Sequence, residues 1–157
     1  MALTTFIGQN LGAREHERAK KGANFGIWSS VLCAELIGVA IYAAAPYLIQ
    51  MFSDNPEVIA IATSQARIEA LFFCLLAYSH AIAAVCRGAG KAFVPMFIML
   101  AIWCVLRICY ITIVMKVKHD LVYIYWAYPL TWGISSVIYL IYYRCSDWIH
   151  GFEKTKE

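Results

Sequence analysis

The stretch Leu121–Tyr143, LVYIYWAYPLTWGISSVIYLIYY, decides the fold. No charged side chain falls between Asp120 and Arg144. Crossing a hydrocarbon layer as a helix takes about 20 mostly apolar residues at ~1.5 Å rise each. A soluble helix of that length carries a polar stripe, and a barrel strand shows ~10-residue alternation with turn signals. This run has neither, so it predicts a membrane-spanning helix. Aromatic residues cluster at both ends, Tyr123, Tyr125, Trp126 and Tyr128 at one and Tyr142, Tyr143 and Trp148 at the other. They are expected to form the two interfacial belts. Pro129 and Gly133 loosen the helix, because Pro removes a backbone hydrogen bond.

Working outward, three further segments qualify as spans: Asn24 to Gln50, interrupted by Glu35; Ile68 to Cys86; and Phe93 to Met115, with Arg107 inside. The whole chain agrees, at 62% hydrophobic and 15% charged residues against about 25% charge in soluble domains. The predicted fold class is an all-α membrane protein with about four antiparallel transmembrane helices. In Ser53-Asp54-Asn55-Pro56-Glu57, Asn55 suits an N-cap, Pro56 the first helical position and Glu57 the positive end of the dipole. A helix running unbroken from there to Cys86 would be ~46 Å long, so Val58 to Arg67 is expected to lie on the surface or bend into the span. Met1 to Ile7 is apolar but too short to cross, and reads as the tail of a truncated helix in a fragment of a longer chain.

Short-loop charge sets orientation. With four alternating spans, one side holds Arg14, Arg18, Lys20, Lys21, Arg87, Lys91, Arg144, Lys154 and Lys156, and the other Lys116 and Lys118, with Arg67 near that edge. The excess places the N-terminal loop, the Arg87–Lys91 loop and the C-terminal tail in the cytoplasm. Arg14, Arg18 and Lys21 fall at i, i+4 and i+7, a basic face suited to anionic headgroups or to water.

Catalytic chemistry has no foothold: there is no HExxH, GxSxG or P-loop, and His16, His80, His119 and His150 are scattered. The reading is not an enzyme, with no cofactor, metal or nucleic acid. Cys33, Cys74, Cys86, Cys104, Cys109 and Cys145 lie in or beside apolar runs without a CxxC pair, and read as small buried hydrophobes.

The intramembrane polar residues are the candidate cation or substrate sites. Glu35 lies near mid-bilayer, where an ionisable group costs from ~2.5 kcal/mol upward and faces a cavity or a partner. Arg107 is its expected partner, flanked by Trp103 at i−4 and Tyr110 at i+3 for cation–π contacts. Tyr78, Ser79 and His80 lie midway along the second span. Gly22, Gly26, Ser30, Ala34 and Gly38 recur at every fourth position, a small-residue stripe that lets another helix approach closely.

Two motifs carry a family resemblance. Gly8-Gln9-Asn10-Leu11-Gly12-Ala13, followed by Arg18-Ala19-Lys20, resembles the GQxxGA…RA signature on a cytoplasmic loop of MATE (multidrug and toxic compound extrusion) transporters. Arg87-Gly88-Ala89-Gly90-Lys91, with Pro95 after it, resembles the RGxG…P motif between their tenth and eleventh helices. The resemblance implies a twelve-helix fold of two six-helix lobes, of which residues 1–157 supply the end of helix 8 through helix 12 and the tail. It further implies export of cationic or amphipathic compounds in exchange for Na⁺ or H⁺ across the bacterial plasma membrane. The implied partners are the bilayer, those substrates and the missing N-terminal helices. No Asp or Glu lies between Ala70 and Cys86, so the acidic role that some members place in the tenth helix transfers to no residue here. The alternatives are a lipid-linked oligosaccharide flippase of related architecture and a stand-alone four-helix scaffold or regulator.

Overall fold

The computed structural model describes residues 2–117 and 121–149, and within them every regular element is a helix. In chain order these are α1 (Ala2–Gly12), α2 (His16–Gln50), α3 (Pro56–Ala70), α4 (Phe73–Gly88), α5 (Phe93–Met99), a π-helical segment (Leu100–Leu106), α6 (Arg107–Val117) and α7 (Leu121–Cys145). α5, the π segment and α6 form one continuous span, Phe93–Val117. Lys118, His119, His150, Lys154, Lys156 and the tail lie outside the described residues.

Among the described residues three helices are long and apolar enough to cross a membrane, and α3 with α4, bent by 51° at its break, makes up to a fourth when the pair is counted as one span. The break falls at Leu71–Phe72, so the expected span from Ile68 begins inside α3. Asn55 caps α3 through its side chain, which accepts the Glu57 N–H at 2.9 Å, with Pro56 in the first turn. α2 has 35 residues, about 52 Å of helix, well beyond a ~30 Å hydrocarbon core. Its first turns, with Glu17, Arg18, Lys20 and Lys21, therefore stand clear of the apolar layer.

Contacts between helix ends fix their directions. Lys91, just after α4, donates to the Asp147 carbonyl just after α7 at 2.7 Å, and the Tyr139 hydroxyl donates to the Pro95 carbonyl at 3.0 Å. At the opposite end, Arg67 of α3 reaches the Tyr42 carbonyl of α2. The spans are thus antiparallel. The end carrying the α1–α2 and α4–α5 turns is the basic end, with Arg14, Arg18, Arg87 and Lys91.

The core gathers at that end. Ile7 and Leu11 of α1, Ala19, Ala23 and Ile27 of α2, Ile82, Val85 and Cys86 of α4, and Tyr139 of α7 form one buried cluster. Trp148 joins it, only 4% exposed and stacked on Tyr143 at 5.4 Å. It is therefore a core residue and not part of an aromatic belt. Tyr125 is buried as well, whereas Trp126 stays 45% exposed. Of the cysteines only Cys86 is buried; Cys33, Cys104, Cys109 and Cys145 are exposed on the outer, apolar surface. That surface also shows Phe25, Leu32, Leu36 and Val39 of α2, as a helix facing lipid or further helices requires.

Both recognition motifs begin in the last turns of a helix and run on into the turn that follows it. Gly8 to Gly12 form the last turns of α1, Arg87 and Gly88 close α4, and Pro95 is buried in α5. Each helix ends in the same paired backbone bonds. Glu15 N–H returns to Asn10 O (2.8 Å) and Arg14 N–H to Leu11 O (3.0 Å). Lys91 N–H returns to Cys86 O (2.9 Å) and Gly90 N–H to Arg87 O (3.1 Å). This Schellman pattern needs a left-handed residue, supplied by Gly90 at φ 78° and by Arg14 at φ 61°. Arg14 is thereby a turn residue, and the basic helical face keeps only Arg18 and Lys21.

The motif glycines differ in what surrounds them. A Cβ on Gly88 would stand 2.7 Å from the Thr4 carbonyl oxygen and 2.8 Å from Ile7 Cβ, and one on Gly8 would stand 3.3 Å from the Gly88 carbonyl oxygen. Nothing lies within 4 Å of the same position on Gly12. Gly88→Ala should therefore cost about 1–3 kcal/mol by overpacking a backbone crossing, while Gly12→Ala should be neutral or slightly stabilising. Thermal unfolding of the two variants in lipid nanodiscs checks this, and equal melting midpoints would refute the crossing.

Candidate functional site

Polar groups inside the apolar layer are the natural place to look, because each needs a protein partner there. Four such places line α4 and α7 or the helices beside them.

The first is a serine node. Ser79 of α4 lies 3.0 Å from both Ser135 and Ser136 of α7, and Ser136 donates to the Leu75 carbonyl at 2.9 Å. All three serines are buried. The node ties α4 to α7 with hydrogen bonds that have no competing water.

Arg107 stands second, at the start of α6 directly after the π-helical turn. One Nη donates to Thr131 Oγ1 at 2.7 Å, and Thr131 also lies 2.9 Å from the Ala127 carbonyl. The guanidinium sits 4.4 Å from the Tyr128 ring centroid and 5.9 Å from that of Trp103. Trp103 thus flanks Arg107 as its spacing suggests, but Tyr110 donates to the Tyr123 carbonyl and Tyr128 takes the other face. Arg107 Nε and Trp103 Nε1 are buried without partners. The His80 ring meets Trp103 edge-on at 5.2 Å, with the His80 residue itself exposed.

Glu35 is third. It forms no ion pair with Arg107; Arg107 is taken up by α7, while Glu35 faces α4 near Cys74. Its Oε2 is buried and has no partner. The expected Glu35–Arg107 contact fails because the π-helical turn and Thr131 aim Arg107 along a different face.

The fourth place is a groove of about 790 Å³ between α2, α4 and α7, lined among others by Trp28, Cys74, Tyr78, Ser136 and Arg144. Tyr143 donates to Asn24 Oδ1 at 3.3 Å at the same groove. Tyr78 is thus a lining residue, apart from Arg107 and from Glu35.

The small-residue stripe does not hold to one face. A Cβ on Gly22 would collide with the Phe6 ring and one on Gly26 would stand 2.6 Å from Leu3, both on α1. A Cβ on Gly38 would stand 2.5 Å from the Ala70 carbonyl oxygen at the end of α3. Between them Ser30 is exposed and bonds its own helix at Gly26 O, and Ala34 is half-buried. Steps of four residues drift by about 40° at 3.6 residues per turn, so the stripe winds from one partner to another.

Sequence reading missed Thr131, Ser135, Ser136 and Cys74. Small hydroxyls inside the charge-free stretch around Leu121–Tyr143 were a usable signal for the first three, since such groups hydrogen-bond across helices. Cys74 gives no comparable signal. Among the described residues no three His, Cys, Asp or Glu side chains converge as a metal site would require.

A bundle of apolar spans that ties itself together by buried hydroxyls is an integral membrane protein. Comparison with known proteins gives the family. Residues 1–113 match the model of the MatE family. A probable multidrug resistance protein, YoeA of Bacillus subtilis (strain 168), is 24% identical over 145 residues, covering 92% of this chain and 31% of that protein. Two probable multidrug resistance proteins named NorM are similar as well. That of Oceanobacillus iheyensis is 32% identical, covering 59% of this chain and 20% of its own length; that of Thermotoga maritima is 29% identical, covering 66% and 22%. The chain belongs to the MatE family of membrane transporters. It spans about a third of the length of these relatives or less.

Thr131→Val should remove the acceptor that holds Arg107 and destabilise the chain by about 1–3 kcal/mol. In an Arg107→Met background the same change should cost much less, since no buried charge is then left unpaired. A double-mutant cycle of melting midpoints measures this, and additive effects would show that the two residues do not interact.

Proposed function

We propose that these helices work as most of the second lobe of a secondary active antiporter that exports cationic or amphipathic compounds in exchange for Na⁺ or H⁺. The observation that carries the reading is the meeting of the two family motifs. Gly8 and Gly88 face one another across α1 and α4, in a chain whose family and similar proteins are those given above. A lobe that rocks as a unit needs its helices locked at one end, and this crossing supplies that lock. The other end offers a looser contact. Pro46 has no N–H for the Tyr42 carbonyl, and Arg67 Nε fills the gap at 3.4 Å while its guanidinium lies 5.2 Å from the Tyr42 ring.

In this reading the membrane is the bacterial plasma membrane, and the basic end, including the α1–α2 turn, the α4–α5 turn and the tail, faces the cytoplasm. The chemistry is displacement of ions and substrates only, with no bond made or broken. Substrate is held by aromatic surfaces such as Trp28 and Tyr78, which line the groove between α2, α4 and α7 and attract organic cations through their ring faces.

The test is efflux of a fluorescent cationic dye from bacteria lacking their own exporters and expressing this gene with its full upstream region. Efflux that collapses on removal of the Na⁺ or the H⁺ gradient supports the antiporter. Dye retention under every gradient, with the protein present in the membrane, would overturn it in favour of a lipid-linked oligosaccharide flippase.

A further inference from the structure

The groove between α2, α4 and α7 has a direction. Asn24, Tyr143 and Arg144 line it at the basic end, and Cys74, Leu75 and Gly133 line it at the other. From Gly133 to Arg144 α7 rises by about 16 Å, half of a ~30 Å hydrocarbon core. The groove thus runs from the headgroup level to the middle of the layer, the depth of one leaflet. Between its ends the walls are apolar, with Ile27 and Val31 of α2 opposite Val137 and Leu140 of α7. Trp28 and Val137 are exposed, so the groove opens onto the outer, apolar surface.

Its charge is as one-sided as its shape. Among the described residues no aspartate or glutamate lines the groove, and Arg144 supplies its charge. Glu35 comes near Cys74 at the deep end but is not part of the lining. Arg144 is exposed and forms no ion pair with the described residues. Beside it Asn24 accepts the Tyr143 hydroxyl through Oδ1 at 3.3 Å, which leaves its amide N–H groups as donors. A guanidinium fork next to an amide suits a phosphate, and an apolar channel one leaflet deep suits an acyl chain. Basic pockets between helices at the charged face of a membrane take anionic headgroups in this way. A headgroup phosphate also neutralises Arg144 towards any cation seated on Trp28 and Tyr78.

We propose that this groove seats one anionic phospholipid of the leaflet at the basic end, with its phosphate on Arg144 and Asn24 and one acyl chain lying along α7 toward Gly133. The proposal goes beyond the antiporter reading and does not rest on it, since the lipid binds whether or not the helices transport.

The experiment is native mass spectrometry of the product of this gene with its full upstream region, in detergent with added phosphatidylglycerol, phosphatidylcholine of the same acyl chains, or glycerol phosphate. Phosphatidylglycerol should bind tightest. Arg144→Gln should cut its advantage over phosphatidylcholine about fivefold, the effect of one basic residue at an anionic surface, and Arg144→Lys should keep most of it. Arg18→Gln, at the same end but outside the groove, should bind as wild type does. Val137→Trp, which fills the groove from an exposed position, should weaken both lipids. Phosphatidylcholine binding retained by Arg144→Gln shows that its loss is not unfolding. Equal binding of the two lipids, an advantage that survives Arg144→Gln, or unaltered binding in Val137→Trp would overturn the site. So would glycerol phosphate binding as tightly as the lipid, or an equal loss in Arg18→Gln. A further helix covering the groove would abolish the lipid preference and overturn the site in the same way. Lipid binding that persists in protein without dye efflux would overturn the antiporter reading and leave the site standing.

Discussion

The backbone crossing of α1 over α4 is the contact on which the bundle depends. At Gly88 the two helices touch through Thr4 and Ile7, and at Gly8 through the Gly88 carbonyl, a distance that only the absence of a side chain permits. Once α1 is seated there, Ile7 and Leu11 meet Ile82, Val85 and Cys86, and α2 closes on the same cluster through Ala19, Ala23 and Ile27. The Schellman turns at Arg14 and Gly90 then send the chain back across the layer. Lys91 and Trp148 fasten the end of α7 beneath them. The glycines of both motifs are therefore packing and turn residues, and the basic end is a rigid base for the rest.

Above that base, the lack of water in the hydrocarbon layer governs the arrangement. Most polar groups are satisfied by a neighbour on another helix: Ser79 by Ser135 and Ser136, Tyr139 by the Pro95 carbonyl, Arg107 by Thr131 and two aromatic faces. The π-helical turn before Arg107 widens the helix at the point where the guanidinium must leave it, and π turns gather at working sites in other proteins. The groups left over inside the helices of the apolar layer, Glu35 Oε2, Thr63 Oγ1, Arg107 Nε and Trp103 Nε1, are in a different category. In a layer without water each of them lacks the partner that burial calls for.

The span pattern was legible because it rests on hydropathy and length, which the bilayer reads in the same way. The cap at Asn55 and Pro56 was legible because its chemistry is local. The Glu35–Arg107 pairing was not, because depth along two helices says nothing about which faces they turn toward one another. Whether a residue such as Trp148 belongs to a belt or a core depends on where the chain goes after α7, which its composition does not encode. The motifs pointed to the family, while the division of each between a helix end and the turn after it was not legible, since a glycine-rich run at a helix end and one in a loop look alike until the opposing helix is in view.

Backbone hydrogen exchange in lipid nanodiscs, resolved to single segments, tests the central place of the α1–α4 crossing most directly. The account predicts the slowest exchange over residues 79–88 of α4 and 7–11 of α1, with fast exchange at the Leu71–Phe72 break and at the outer end of α3. Uniform protection along α4, or an α1 that exchanges as freely as the chain's exposed turns, would contradict it.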